Sequence, residues 1–133
     1  MSTYVTLGVG EELYAVPVES VLEIAAAGDI APVPRGGRGL LGVRHIRGVV
    51  MPVFCLSTVV GNPTVKAARR NVVIDHDGVR ACLAVDSVED VGPLPGQMED
   101  SELPLLVGAT LVKQKLVGVL DMPRLLDTIR NTP

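Results

Sequence analysis

The stretch Gly42-Val43-Arg44-His45-Ile46-Arg47-Gly48-Val49-Val50-Met51-Pro52-Val53 carries the strongest structural signal in the chain. Apolar, β-branched runs at Leu40–Val43 and Val49–Leu56 flank the dipeptide Arg47-Gly48. That pattern predicts strand, tight turn, strand. Gly48 supplies the freedom the turn needs, and the turn should project Arg47 into solvent. An exposed arginine at a fixed turn suits a partner's carboxylate or carbonyl, although an ordinary surface arginine fits the same pattern. Pro52 has no N–H to give a ladder, so the second run is expected on a sheet edge or at a bulge.

The rest of the chain reads in the same way. Val5, Leu7 and Val9 alternate with small or polar residues, Gly10-Glu11-Glu12 turns the chain, and Leu13 to Val16 returns. Asn71–Ile74 and Val79–Val85 flank Asp75-His76-Asp77-Gly78, and Leu105–Val112 and Leu116–Leu120 flank Lys113-Gln114-Lys115. These are further hairpins. Val18, Val21, Leu22 and Ala25 fall at helical spacing behind Pro17, which predicts a short amphipathic helix over Val18–Ala26. Asp121 should cap a terminal helix over Met122–Arg130 with Leu125, Leu126 and Ile129 on its inner face. Gly28 to Gly39, Gly61 to Arg70 and Val91 to Pro104 read as loops.

Composition supports an all-β chain. Val occurs 23 times and Leu 16, against Phe54, Tyr4, Tyr14 and no Trp, with 14 Gly and 10 Pro. The length of 133 residues suits one ordinary domain or two very small ones. A net charge of −3 gives no general attraction to nucleic acid or anionic lipid. The segment Met1-Ser2-Thr3-Tyr4 lacks the features of a secretory signal, and the apolar runs are too short for a membrane span. The expected location is cytoplasmic, with no direct membrane insertion.

The chain also repeats itself. Val18-Glu19-Ser20-Val21 recurs as Val85-Asp86-Ser87-Val88, Leu41-Gly42-Val43 as Val107-Gly108-Ala109, and Val53-Phe54-Cys55-Leu56 as Val119-Leu120-Asp121-Met122. Matches in one order at nearly one offset point to internal duplication, the alternative being two unrelated strand-rich halves. The halves read as five-stranded units that escape open edges by closing into small barrels. Within a single domain over 1–133, one unit covers about 4–66 and the other about 71–133, with exchange of strands between them allowed. Neither is large enough to be stable alone. Seven bases and no acid fall between residues 30 and 74, and six acids and no base between 81 and 112. This is either solvated surface or a pair of oppositely charged faces that orient partners.

Catalytic and ligand-binding patterns are weak. Cys55 and Cys82 lie in apolar runs, far from any arrangement that would activate a thiolate, and are expected to be buried and reduced. His45 and His76 complete no close ligand pair of the kind zinc requires. Gly36-Gly37-Arg38-Gly39 matches no phosphate-binding pattern. No catalytic, cofactor-binding or metal-binding residue is assigned. A small β-barrel with a basic run could track a single nucleic-acid strand, but three aromatic residues make a poor stacking platform.

At Gly42, Arg47-Gly48 and Pro52-Val53 the chain resembles the CheW family of chemotaxis coupling proteins. The resemblance extends to Pro17-Val18-Glu19-Ser20-Val21-Leu22-Glu23-Ile24, to Ala84-Val85-Asp86-Ser87-Val88 and to Leu116–Leu126, so it covers nearly the whole chain. It implies two packed five-stranded SH3-like β-barrel subdomains with short helices. It also implies a non-enzymatic adaptor that couples the cytoplasmic tip of a chemoreceptor to the regulatory domain of a CheA-like histidine kinase, recruited to receptor arrays and needing no cofactor. Carried over by motif, the receptor-binding positions are Val21, Glu23, Gly42, Val43 and Arg47. The kinase contact is implied to pair like barrels through apolar strand ends, with no residues assigned. Family members commonly have Asn where His45 stands and Asp where Cys55 stands, and the latter change should weaken a helix cap.

Overall fold

The computed structural model describes residues 2–33, 39–61, 69–94 and 96–130. Arg35, Gly36, Gly37 and Arg38 of the glycine-rich loop, and Lys66 of the basic run, lie outside the described residues. In order, the elements are β1 (Tyr4–Val9), β2 (Glu12–Pro17), β3 (Val21–Ala26), β4 (Leu40–Ile46), β5 (Val49–Cys55), α1 (Leu56–Val59), β6 (Arg70–His76), β7 (Val79–Val85), β8 (Ser87–Gly92), β9 (Leu106–Val112), β10 (Lys115–Leu120) and α2 (Met122–Arg130). They form two five-stranded sheets, β8-β1-β2-β10-β9 and β3-β6-β7-β5-β4.

Tight turns set the registers. Arg47-Gly48 joins β4 to β5 with Ile46 opposite Val49, Asp77-Gly78 joins β6 to β7, and Lys113-Gln114 joins β9 to β10. All six turn residues have positive φ, from 50° at Arg47 and Lys113 to 82° at Gly78. That backbone matches the right-handed twist of the strands it connects, which is why two-residue loops of this kind dominate hairpins.

The repeat is visible element by element. β1 begins at Tyr4 and β6 at Arg70, β4 at Leu40 and β9 at Leu106, β5 at Val49 and β10 at Lys115, α1 at Leu56 and α2 at Met122. The sheets, however, are not the halves. One sheet takes β1 and β2 from the first half and β8, β9 and β10 from the second. The other takes β6 and β7 from the second half and β3, β4 and β5 from the first. Each half therefore lends its leading hairpin to the other. Parallel pairing of β2 with β10 and of β7 with β5 joins lent and resident strands within each sheet.

Three apolar clusters follow from this exchange. The largest lies between the sheets and gathers Val5, Leu7 and Val16 from one, Val72, Ile74 and Leu83 from the other, and Met122, Leu125, Leu126 and Ile129 from α2. Each unit also has a small interior: Ile46, Met51, Val53, Val73, Cys82 and Ala84 in one, Ala15, Val117 and Val119 in the other. Close packing makes every methylene of such cores count.

Several expectations are corrected. The segment expected as a helix, Val18–Ala26, is a 3-10 turn at Val18–Ser20 followed by strand β3. Nine residues are too few for a helix to stand without tertiary support, and the ladder to Asn71–Ile74 of β6 satisfies the backbone instead. Strand β8 occupies Ser87–Gly92, partly within a stretch read as loop. Pro52 sits in an interior strand, between β4 and β7. Counting pairs from the turn, Val43 and Pro52 form a non-hydrogen-bonded pair, and the parallel ladder to β7 begins only at Val53. The missing N–H of Pro52 thus falls where no bond is made. The units are SH3-like but open, since β8 and β9 do not pair with each other, nor do β3 and β4.

The helix ends show what a cap does. Asp121 Oδ1 accepts the N–H of Arg124 at 3.2 Å and α2 runs for nine residues. At the equivalent position Cys55 makes no side-chain cap bond, and α1 is a single turn. Burial raises the Cys55 thiol, but the Ser57 hydroxyl at 3.1 Å and the backbone of Thr58 and Ser57 outweigh it and hold the pKa below the ordinary thiol value. Cys82 lies in the opposite condition, with burial pushing its pKa up. Both thiols are buried and unbridged. Replacing both with Ala should leave the fold and partner binding intact and cost about 1–2 kcal/mol from lost packing. Urea melts alongside binding titrations check this; a folded double variant that no longer binds would assign the thiols a functional role.

Candidate functional site: a cleft between β3 and β4

The seam between β3 and β4 has no backbone ladder, and side chains span it. Arg47 Nε donates to Glu23 Oε1 at 2.8 Å, with the Arg47 side chain 80% exposed and Glu23 27% exposed. Arg47 leaves β4 in the turn and Glu23 projects from β3, so the pair joins the two edge strands of one sheet. Beneath it lies a cleft of about 310 Å³ lined by Leu22, Glu23, Ile46, Arg47, Val49, Met51, Val73 and Arg80. Ile46, Met51 and Val73 are buried and form the floor, while Leu22 and Val49 stand exposed at the lips. Arg80 is held by Asp75 at 2.8 Å, and the Arg80 guanidinium keeps the Asp75 carboxyl below its usual range. The result is an apolar floor with a charged rim.

The five positions expected at a receptor site do not all meet here. Glu23 and Arg47 come together. Val43 opens instead onto a neighbouring depression with Ile30, His45 and Val50. Val21 packs against the core between the sheets. Gly42 is buried: its φ is +147°, and a Cβ there would lie 2.2 Å from the Ala31 carbonyl oxygen. Ala31 and Val43 exchange both backbone hydrogen bonds, at 2.8 and 2.9 Å, so Gly42 has the structural task of letting residue 31 approach β4. Leu22, Val49 and Arg80 were not anticipated. Leu22 lies where the β3–β6 register shifts between Val21 and Glu23, and like Ile24 it takes an outward position in the alternation of the strand. The helical reading of this segment concealed that orientation.

A second exposed apolar area lies on the other sheet. Leu111 and Leu116 face one another across β9 and β10 and are each 63% exposed. Beside them runs a groove lined by Leu13, Tyr14, Leu103, Leu106, Ala109 and Gly118. Tyr14 donates its hydroxyl to Glu12 Oε1 at 2.9 Å, and burial together with that carboxylate pushes its pKa well up. No group of histidines, cysteines and acids able to hold a metal occurs among the described residues. No helix among them is long and apolar enough to cross a membrane.

An exchanged duplication of SH3-like units, carrying an apolar cleft under a charged rim, defines a class of β-rich module without an evident catalytic centre among the described residues. The CheW-like domain model matches residues 3–130, and the chain belongs to that family. A chemotaxis protein CheW from Helicobacter pylori is 28% identical over 131 residues, covering 89% of this chain and 77% of that protein. The crystal structure of a scaffolding protein, TtCheW, from Thermoanaerobacter tengcongensis superposes with a TM-score of 0.82 at 22% identity. That match covers 91% of this chain and 84% of the other. The likeness supports the fold described above.

Proposed function

We propose that this chain is a non-enzymatic coupling adaptor of a chemotaxis system, joining a chemoreceptor's cytoplasmic tip to the regulatory domain of a CheA-like histidine kinase. Family membership over residues 3–130 supports the reading. The observation that carries it is the Glu23–Arg47 rim over an apolar floor. A helical hairpin tip can seat apolar side chains on Ile46, Met51 and Val73, while the rim charges set its register. Val43 then acts from the neighbouring depression, Gly42 by holding residue 31 in place and Val21 by seating β3 on the core. The kinase domain, expected to be built on the same fold, meets the exposed Leu111–Leu116 face at the end of the β9–β10 hairpin. The protein works on the cytoplasmic side, where receptor tips are found.

The test is a reconstitution from purified parts. A receptor hairpin fragment and a kinase regulatory domain should each bind, and both should be held in one ternary complex on size exclusion. Mutual exclusion of the two would refute coupling. Leu116→Asp should weaken kinase binding by about 2 kcal/mol, roughly thirty-fold, and leave the receptor titration unchanged. Unaltered kinase affinity in that variant would move the kinase face elsewhere.

The runner-up reading, a single-strand nucleic-acid barrel, loses its footing in the core. Phe54 and Tyr14 are buried and Tyr4 packs against the small interior of its sheet. Those are all the aromatic residues in the chain. Base stacking needs exposed aromatic faces.

A further inference from the structure

The duplication supplies an internal control for the β3–β4 seam. Sixty-six residues on, the seam between β8 and β9 has the same strands, the same kind of hairpin turn, and its own bridge, Glu99 to Ala109, matching Ala31 to Val43. The side chains differ. Where the first half has Arg44, the second has Thr110, whose buried hydroxyl finds no partner among the described residues. Where the first has Glu23 and Arg47, the second has Glu89 and Lys113, which form no ion pair. Among the described residues, side-chain hydrogen bonds cross the first seam and none crosses the second.

Arg44 is the more deeply placed of its two ties. Its Nη1 donates to the Ala26 carbonyl oxygen at 3.0 Å and to Asn71 Oδ1 at 2.6 Å. Ala26 closes β3, and Asn71 is a buried residue of β6, the strand on which β3 rests. The chain passes close over the guanidinium at Gly28, where a Cβ would lie 2.7 Å from Arg44 Nη2. One side chain on β4 therefore grips both the end of β3 and its neighbour. Without it, β3 is an edge strand held by a single ladder and by the exposed Glu23–Arg47 pair, and its Leu22 and Ile24 stand exposed. A planar guanidinium with several donors in fixed geometry can bridge two acceptors in this way, which a point-charge ammonium does less well.

We propose that Arg44 is the positioning residue of the β3–β4 cleft: by tying Ala26 and Asn71 to β4 it fixes Glu23 opposite Arg47. Its bearing on receptor binding rests on the reading given under Proposed function, but its effect on the seam does not. Arg44 is set back from the Glu23–Arg47 rim and acts through β3.

The test uses the full chain with Arg44→Met, which keeps an apolar stem and removes the donors, and Arg44→Lys, which returns a charged donor group without the fixed planar geometry. Hydrogen exchange followed by NMR is the first arm. In Arg44→Met, amides of residues 22–27 should exchange at least ten-fold faster, and the Arg47 Nε–H should lose its protection, while amides of β1, β2 and β10 keep wild-type rates. Arg44→Lys should recover part of the protection. The second arm titrates receptor fragment and kinase domain. Receptor affinity should fall about ten-fold in Arg44→Met and recover partly in Arg44→Lys, with kinase affinity unchanged. A merely structural role would lower both affinities together, and that result overturns the proposal. Wild-type protection of residues 22–27 in Arg44→Met overturns it as well, as does an unchanged receptor affinity alongside a loosened β3. If wild-type protein binds no receptor fragment, the coupling function fails, and the exchange arm alone decides whether Arg44 sets the rim.

Discussion

A chain truncated after Val65 will show no cooperative thermal transition as a monomer. The reason lies in the exchange of hairpins. Truncation removes β8 and β10 from beside β1 and β2, β6 from beside β3, and β7 from beside β5. What remains is two isolated hairpins, a lone strand and half of the inter-sheet core. A two-stranded hairpin is marginal in water, and Val5, Leu7, Val16 and Phe54 would lose the side chains that cover them. Loss of the transition is thus complete, a larger effect than any point substitution in the core. Adding a chain of residues 69–133 should restore a cooperative melt, because each fragment holds the strands the other lacks. Calorimetry of each fragment and of their mixture checks this. A sharp, concentration-independent transition of the first fragment alone would show that the halves fold separately.

Arg47→Glu should weaken receptor binding by about 2 kcal/mol or more, at least roughly thirty-fold. Two effects act together. The variant removes an exposed donor at the cleft rim and sets a carboxylate opposite Glu23. The second effect costs little stability by itself, since exposed pairs are worth about 0–1 kcal/mol, so the melting temperature should barely move. Kinase affinity should hold, because Arg47 lies on the sheet opposite the Leu111–Leu116 face. The double variant Glu23→Arg with Arg47→Glu separates the two effects. It restores attraction across the seam with the polarity reversed. If receptor binding stays lost while the fold persists, Arg47 is an anchor for the partner. If binding returns, the pair serves only to hold the cleft in shape. Undiminished receptor affinity in folded Arg47→Glu would make it an ordinary surface arginine.

Much of this was legible in residue order because the information is local. Each turn announces itself between β-branched runs, and Arg47-Gly48 is legible at its true length, whereas Asp75-His76 and Lys115, expected in turns, belong to β6 and β10. Asp121 marks the start of α2 because its carboxylate reaches the N–H of Arg124 three residues on. The buried state of Cys55 and Cys82 follows from their apolar neighbours. The two missed strands, β3 and β8, share a cause. In both, residue type runs against burial: Leu22 and Ile24 are exposed positions of β3, and β8 has no buried residue to mark an inner face. Burial alternates along β3, but its apolar residues do not, and the helical spacing of Val18, Val21, Leu22 and Ala25 is a coincidence.

The composition of the site divides in the same way. Arg47 and Glu23 are singled out by their setting in the chain, but their 2.8 Å contact joins residues 24 apart, on strands with no ladder between them. Leu22, Val49 and Arg80 enter the cleft only because β3 lies against β6 and curls toward β4. Arg44 gives no sign in its own neighbourhood that it binds Asn71 and Ala26.

By itself the sequence determined the β class, the hairpins and their turns, the duplication, the terminal helix and the family. Those follow from dihedral preferences, side-chain alternation and residue order, all of which act over a few residues or repeat along the chain. The tertiary structure alone decided which sheet each hairpin joins, because an apolar strand face can be covered equally well by either half. Only the packing of the whole chain selects the exchanged arrangement. It likewise decided the cleft, since a seam closed by two arginine side chains exists only after both strands have been placed by other partners.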